Sequence, residues 1–220
     1  MAVLIPKIVH RIWFGPHKMR DELVRYGETW REHGYETILW TEDSLPYDCE
    51  MRPLMDRISQ HGVNVGNGVP ELGEYVQWAD VVSYWLVWKY GGIYANTDME
   101  CLRSLDPLLE DVTAFAGIEA GEFIGNALFG ATPGHPFFRE LLDDLPSRYE
   151  ARQSVGQPMN ENTGPHCITD AHKRNPGLLT VFPQERFYPY SHVEMSREWD
   201  EFPDAYTSHH WGHTRGHNAS

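Results

Sequence analysis

At 220 residues the chain is long enough to bury a sizeable core, and it reads as one domain over residues 1–220. Hydrophobic residues at 41% and aromatic residues at 13% make a globular composition and exclude a largely disordered one. Eighteen Lys and Arg against 32 Asp and Glu give a formal charge of −14, a surface that repels phosphate backbones and so excludes nucleic acid as the expected partner.

Cys49, Cys101 and Cys167 are odd in number and show no CxxC spacing, which predicts reduced structural thiols rather than a disulfide framework. The opening "MAVLIPKIVHRIW" lacks a basic leader followed by an apolar core, and no uncharged apolar run is long enough to span a bilayer. The expectation is a cytoplasmic protein with no integral membrane segment.

In chain order, "KIVHRIWFG" predicts a strand stopped at Gly15-Pro16. Residues 19–33 carry helical spacing, with Leu23, Tyr26, Gly27 and Trp30 on one face. "YETILWT" predicts a second strand, so the chain opens as a βαβ unit of a mostly parallel sheet. Residues 51–61 read as a helix and "GVNVGNGVPELG" as a loop. Residues 72–90 are apolar almost all round, the pattern of a helix buried mid-domain. Gly91 and Gly92 are expected to cap it, with "IYANTDMECL" following as one strand. "TAFAGIE" and "FIGNALFGAT" read as strands and "HPFFRELLDDL" as a helix. Residues 150–164, polar and rich in Gln, Asn and Gly, read as a loop.

The chemistry concentrates at Asn96-Thr97-Asp98. On one continuous strand, residues two apart share a face, so Asn96 and Asp98 are expected to look out together. Ligands of open α/β sheets sit beyond the carboxyl ends of the strands, and a carboxylate there suits Mg²⁺ or Mn²⁺. Asp80, inside the apolar helix, is costly unless paired or liganded.

Residues 79–109, "ADVVSYWLVWKYGGIYANTDMECLRSLDPLL", resemble the DxD-motif region of sugar-donor glycosyltransferases. The nearest group is the one holding the yeast initiating α-mannosyltransferase and bacterial capsular sugar transferases; the clostridial toxin glucosyltransferase domains are more distant. "IPKIVHRIWFG", "GNALFGATPGHPF", "TGP", "FPQERFYP" and "SHHWGHTR" are similar to further segments of the family in the same order. The resemblance implies an α/β GT-A-like fold: a mostly parallel Rossmann-type sheet flanked by helices, with a C-terminal segment that contacts metal and diphosphate.

It also implies roles for particular residues. Trp13 would stack on the donor's base, and Asp80, Ser83, Tyr94 and Asn96 would contact the donor. Asp98 would hold Mn²⁺ or Mg²⁺ on the diphosphate, with His209 or His210 as a second ligand and Thr214 near the phosphate. Asn126 would position the reacting centre. The chain departs from the pattern at Asn96, where the first Asp of DxD is expected, and at Ser83, where an Arg is. An arginine and a carboxylate lost together leave neither charge unpaired, which points to a re-tuned sugar pocket.

The implied reaction moves a sugar, with retention, from a nucleotide-sugar donor to a hydroxyl of a glycan, lipid-linked or protein acceptor. Two alternatives stand beside it: a degenerate transferase that binds nucleotide sugar or glycan without turnover, and a metal-dependent hydrolase. No GxGxxG follows the first strand, which disfavours a dehydrogenase.

Overall fold

The computed structural model describes residues 4–61, 73–121, 123–153 and 159–212. A six-stranded sheet runs β2-β1-β3-β6-β5-β7. Its strands are β1 (Ile8–Ile12), β2 (Glu36–Trp40), β3 (Gly92–Ala95), β5 (Ala114–Ala120), β6 (Phe123–Ala131) and β7 (Thr180–Phe182). β1 pairs in parallel with both β2 and β3, and β5 pairs in parallel with β7. β6 runs against β3 and β5, so it is the one reversed strand of a mostly parallel sheet.

The chain moves from β1 outward to β2, then returns to place β3 on β1's other side. That reversal opens a crevice beyond the carboxyl ends of β1 and β3, the place where open α/β sheets take ligands.

Helices cover both faces. α1 (Asp21–Glu32) buries Leu23, Tyr26, Gly27 and Trp30, the face read from the spacing. On the other face lie α2 (Arg52–His61), α3 (Gly73–Tyr90), α5 (Pro136–Gln153) and α7 (Pro165–Arg174), whose residues share one apolar core. α3 is buried without a break from Val81 to Val87, as a helix apolar all round must be. The short α4 (Asp106–Leu109) and α6 (Met159–Asn162) complete the helices. Cys49, Cys101 and Cys167 are free and buried.

Three readings of the sequence are corrected. Gly91 (φ +67°) ends α3, but Gly92 (φ +92°) is the first residue of β3 rather than a second cap. "IYANTDMECL" is not one strand: the chain turns after β3, Met99 N–H donating to the Asn96 carbonyl at 3.0 Å, and resumes as β4 (Met99–Cys101). The expected loop at residues 150–164 is helical at both described ends, since α5 runs on to Gln153 and α6 begins at Met159; residues 154–158 lie outside the described residues. The expected loop at residues 62–73 lies almost wholly outside the described residues, as does Thr214.

β4 starts a second, two-stranded sheet with β8 (Thr207–His209), antiparallel, Met99 opposite His209. This pairing returns the distal part of the chain to the switch point. α1 fastens the same unit from above: Trp30 Nε1–H donates to the Met99 carbonyl at 3.0 Å, and Thr29 Oγ1 accepts from Cys101 N–H at 2.9 Å.

The junction of α3 with β3 is equally tight. His10 accepts from the Trp40 indole on Nδ1 at 3.1 Å, leaving Nε2–H to donate to the Gly91 carbonyl at 2.9 Å. A Cβ on Gly92 would lie 2.6 Å from the Ile8 carbonyl oxygen, in a conformation that disfavours L side chains. Gly92→Ala is therefore expected to cost about 2 kcal/mol or more of stability in urea denaturation. A loss below about 0.5 kcal/mol would show that the β1–β3 approach is not held so closely.

Candidate active site

Two carboxylates define the crevice, and their surroundings push them in opposite directions. Asp98 is buried in the turn between β3 and β4, at 8% exposure. Its Oδ1 meets His209 Nε2 at 3.1 Å and its Oδ2 accepts the Gly212 N–H at 2.7 Å. Burial alone would raise its pKa; the His209 charge and hydrogen bond and the Gly212 amide outweigh it and hold the carboxyl well below the usual range.

Arg11 supplies a second cation. It reaches from β1 beneath α1, 4% exposed, and donates through Nη2 to the Leu23 carbonyl at 2.7 Å and to the Thr97 carbonyl inside the turn. Burial lowers its pKa to about 10 even though Asp98 pulls it up, so it stays charged at neutral pH. Gly27 makes the passage possible: a Cβ there would fall 1.9 Å from Arg11 Nη1. A glycine in the buried face of a helix, otherwise a weak choice, is explained by the guanidinium it admits.

Asp80 lies on α3, half-buried, facing the crevice. Asn126 Nδ2–H donates to Oδ1 and Thr163 Oγ1–H to Oδ2, each at 2.8 Å. Tyr84 in turn holds the Thr163 carbonyl at 2.9 Å. Burial pushes the Asp80 pKa up to about 7, against the pull of those two hydrogen bonds. Asp80 is thus poised near neutrality, served by neutral donors, while Asp98 is ionised and served by cations.

Tyr94 joins the two. Its buried hydroxyl donates to Asn96 Oδ1 at 2.9 Å, and burial followed by the fields of Asp80 and Asp98 raises its pKa, so it remains a proton donor. Asn96 and Asp98 do not share a strand face as expected; the turn sends one to Tyr94 and the other to His209 and Gly212.

Trp13 stands just past β1, half-buried beside Met19, Leu23 and Tyr26, with its indole N–H donating to the His17 carbonyl at 2.6 Å. Ser83 is set apart: it is fully buried and its hydroxyl donates to the Asp80 carbonyl at 2.7 Å within the helix. The two tail histidines also separate. His209 meets Asp98, whereas His210 stacks on Tyr26 (centroids 4.3 Å apart, planes at 4°) and puts Nε2 2.9 Å from Glu100 and Nδ1 3.3 Å from the Tyr190 hydroxyl. Arg11, Gly27, Gly212 and Thr163 were given no role from sequence. Arg11, Thr163 and Gly212 lie in segments that resemble the family, "IPKIVHRIWFG", "TGP" and "SHHWGHTR", and Gly27 shows only as part of an apolar helix face.

The site suits a divalent cation in two respects. Asp98 is an ionised oxygen ligand, and His209 Nε2 stands 3.1 Å from its Oδ1, near enough for both to serve one ion. Nδ1, on the other side of the ring, has no hydrogen-bond partner among the described residues. Asp98 and Glu119 outweigh burial and raise the His209 pKa, so a metal would replace a proton on the ring. Among the described residues no three His, Cys, Asp or Glu gather as a metal-ligand set.

Residues 21–114 match the family model described as glycosyltransferase sugar-binding region containing DXD motif. Inositol phosphoceramide mannosyltransferase 3 of Schizosaccharomyces pombe is 31% identical over 149 residues, 66% of this chain and 38% of that protein. Human alpha-1,4-N-acetylglucosaminyltransferase is 30% identical over 148 residues, 58% of this chain and 40% of the relative. The chain therefore spans about two-fifths of the length of these relatives. Among solved structures, the PaToxG glycosyltransferase superposes with a TM-score of 0.61 at 16% identity, over 79% of this chain and 71% of that one. The UDP-bound glycosyltransferase domain of the YGT toxin gives 0.55 at 10% identity, over 86% and 83%. These likenesses establish the fold expected from the sequence.

Two measurements test the electrostatics. Gly27→Ala should destabilise the protein by setting a methyl against Arg11, but in an Arg11→Met background the same change should be neutral or stabilising, because alanine exceeds glycine in helices by about 1 kcal/mol. Equal losses in both backgrounds would show that the guanidinium is not what the glycine admits.

Asp80, with a folded pKa of about 7 against an ordinary 3.8, favours folding when protonated. Its contribution is complete below the ordinary value and is lost as pH rises through about 7. Asp80→Asn should flatten the decline of the urea midpoint across that window; an unchanged decline would assign it to another group.

Proposed function

With residues 21–114 matching a DXD-type glycosyltransferase sugar-binding region, we propose that this chain transfers a sugar from a UDP- or GDP-sugar to a hydroxyl of a glycan, lipid-linked or protein acceptor. The observation that carries the reading is the convergence on Asp98. A buried, ionised carboxylate, with His209 Nε2 3.1 Å from it, stands at the sheet's switch point within electrostatic reach of the Tyr94 hydroxyl. The relatives printed as mannosyltransferase and N-acetylglucosaminyltransferase, and a fold neighbour solved with UDP, point the same way.

In this reading Asp98 and His209 hold Mn²⁺ or Mg²⁺, the imidazole favouring Mn²⁺. The ion would neutralise charge on the departing diphosphate. The protein's own groups do the rest. Trp13 offers an indole face to the base at the end of β1. Asp80, with both oxygens already fixed by Asn126 and Thr163, receives hydroxyls of the transferred sugar; with its pKa near neutrality it accepts or donates a hydrogen bond without bringing a second full charge beside the diphosphate. Asn126 thereby positions the sugar through Asp80. Asn96, held by Tyr94, leaves its amide N–H free to turn toward ribose or sugar oxygens. The proposed stereochemical outcome is retention, as the family resemblance implies.

A hydrolase built on the tail histidines is less well served, because His209 and His210 diverge to Asp98 and Glu100. Among the described residues no helix is long and apolar enough to cross a membrane, so a lipid-linked acceptor would be met at a surface.

Calorimetric titration with UDP and GDP, with and without Mn²⁺, tests the donor site. One nucleotide should bind in a metal-dependent way, and Asp98→Asn should weaken it by at least about tenfold. Sugar transfer to an added acceptor then separates a transferase from a protein that binds donor without turnover. A folded protein that takes up neither nucleotide would refute the reading.

A further inference from the structure

Glu119 is a carboxylate of this site to which the sequence assigns nothing. It lies near the end of β5, past the shift in register between Ala116 and Ile118, where β5 pairs with β6 only at Ile118–Ile124 and Ala120–Phe123. The irregularity re-aims the strand end, a usual purpose of a bulge beside a site.

Its surroundings are chemically distinctive. A Cβ on Gly125 would fall 2.7 Å from Glu119 Oε2 and 2.5 Å from the Tyr188 hydroxyl, so the missing side chain on β6 leaves the space that both oxygens border. His209, His192 and Asp98 are within electrostatic reach. Tyr188 and Trp211 pack their rings against His209, at centroid distances of 5.9 and 4.2 Å. Glu119 and Asp98 thus both act electrostatically on the one imidazole of His209.

Yet among the described residues no hydrogen bond reaches the Glu119 carboxylate, which is only half-buried. Asp98 has two donors and Asp80 has two. A half-buried carboxylate with no protein donor keeps its acceptor sites open to the hydroxyl groups of a ligand. Burial raises its pKa, with Asp98 adding to the effect and the two histidines opposing it.

We propose that Glu119 is the acceptor subsite: its carboxylate accepts a hydrogen bond from the incoming hydroxyl and orients that oxygen toward the donor's anomeric carbon. The ligand class is a polyol or sugar hydroxyl. A bare anion is disfavoured beside two carboxylates, and the cation of the proposed donor site is assigned to Asp98 and His209 rather than to Glu119. Tyr188 is a positioning residue beside it: its hydroxyl accepts the Leu128 N–H at 3.1 Å and so is fixed to β6, at the space that Gly125 leaves open. The assignment rests on the glycosyl-transfer reading and adds to it the side from which the acceptor enters, the β5–β6 end beyond Asp98.

The test partitions the fate of the donor. Wild type and Glu119→Gln are incubated with the nucleotide sugar that calorimetry selects, Mn²⁺ and a panel of methyl α-mannoside, methyl α-glucoside and myo-inositol, and released nucleotide is compared with glycosylated product. The ratio of transferred to hydrolysed sugar should fall about tenfold or more in Glu119→Gln, through a raised acceptor KM, while nucleotide affinity stays within about twofold. Glu119→Asp, which keeps the charge on a shorter arm, should recover part of the ratio, and it serves in place of Gln should that variant melt early.

Transfer and hydrolysis falling together, or neither changing, would overturn the acceptor role while leaving the donor reading intact. Should wild type neither bind nor cleave a donor, the transferase reading itself falls, and the acceptor subsite with it.

Discussion

A buried ionised carboxylate is the constraint around which the crevice is organised. An isolated charge in a low-dielectric interior is too costly to keep, so Asp98 must be surrounded by donors and opposite charge. The chain supplies them from two remote places. Arg11 comes from the first strand, Gly212 and His209 from the far end of the described chain. Each brings a structural obligation. Arg11 requires the hole in α1 at Gly27, and His209 requires the β4–β8 pairing that turns the chain back on itself. Remove the Asp98 charge and neither the glycine nor the returning strand has an electrostatic reason to be where it is.

The second carboxylate shows that the environment, rather than the residue type, decides the role. Asp80 receives two neutral hydrogen bonds and no cation, and its pKa stands near 7; Asp98 receives a histidine and an amide with an arginine behind its turn, and stays ionised. Pairs of titratable groups driven apart in this way mark a division of labour. The ionised member is the one suited to a cation, and the near-neutral one to hydroxyl groups. Tyr94, electrostatically coupled to both, is kept protonated by both and serves the crevice as a donor.

The elements were legible where a local period carried them. The face of α1, the continuous burial of α3 and the first strands followed from spacing, because amphipathic or all-apolar patterns repeat within a few residues. The turn at Asn96–Asp98 was not legible. A run of β-type residues on either side hides a break that is imposed by tertiary pairing, β3 with β6 on one side and β4 with β8 on the other. Nor could spacing connect Asp98 to His209, 111 residues apart, or tell His209 from its neighbour. Adjacent residues at the end of β8 point to opposite sides, so one histidine reaches the crevice and the other stacks on Tyr26. Gly27 looked like part of an apolar face; its purpose appears only with the guanidinium beneath it.

The departure from the DxD pattern follows from the same charge accounting. Asn96 sits beside Tyr94, whose hydroxyl it already satisfies, and Arg11 is committed to the backbone of the turn. A carboxylate at position 96 would add a second negative charge to a turn whose cations, Arg11 and His209, are already directed at Asp98. In the family pattern the arginine one helical turn beyond the helix Asp offers compensation. Here that position is Ser83, fully buried and closed onto the Asp80 carbonyl, with no room for a charged side chain. With the arginine gone, a neutral amide at 96 leaves no charge stranded, and Asp80 takes Asn126 and Thr163 as partners instead. Where the family resemblance implies an ion pair, the crevice is built on neutral hydrogen bonds. Decay would have left unpaired charge behind; the substitutions at 83 and 96 instead form a consistent set, which argues that the pocket is still used.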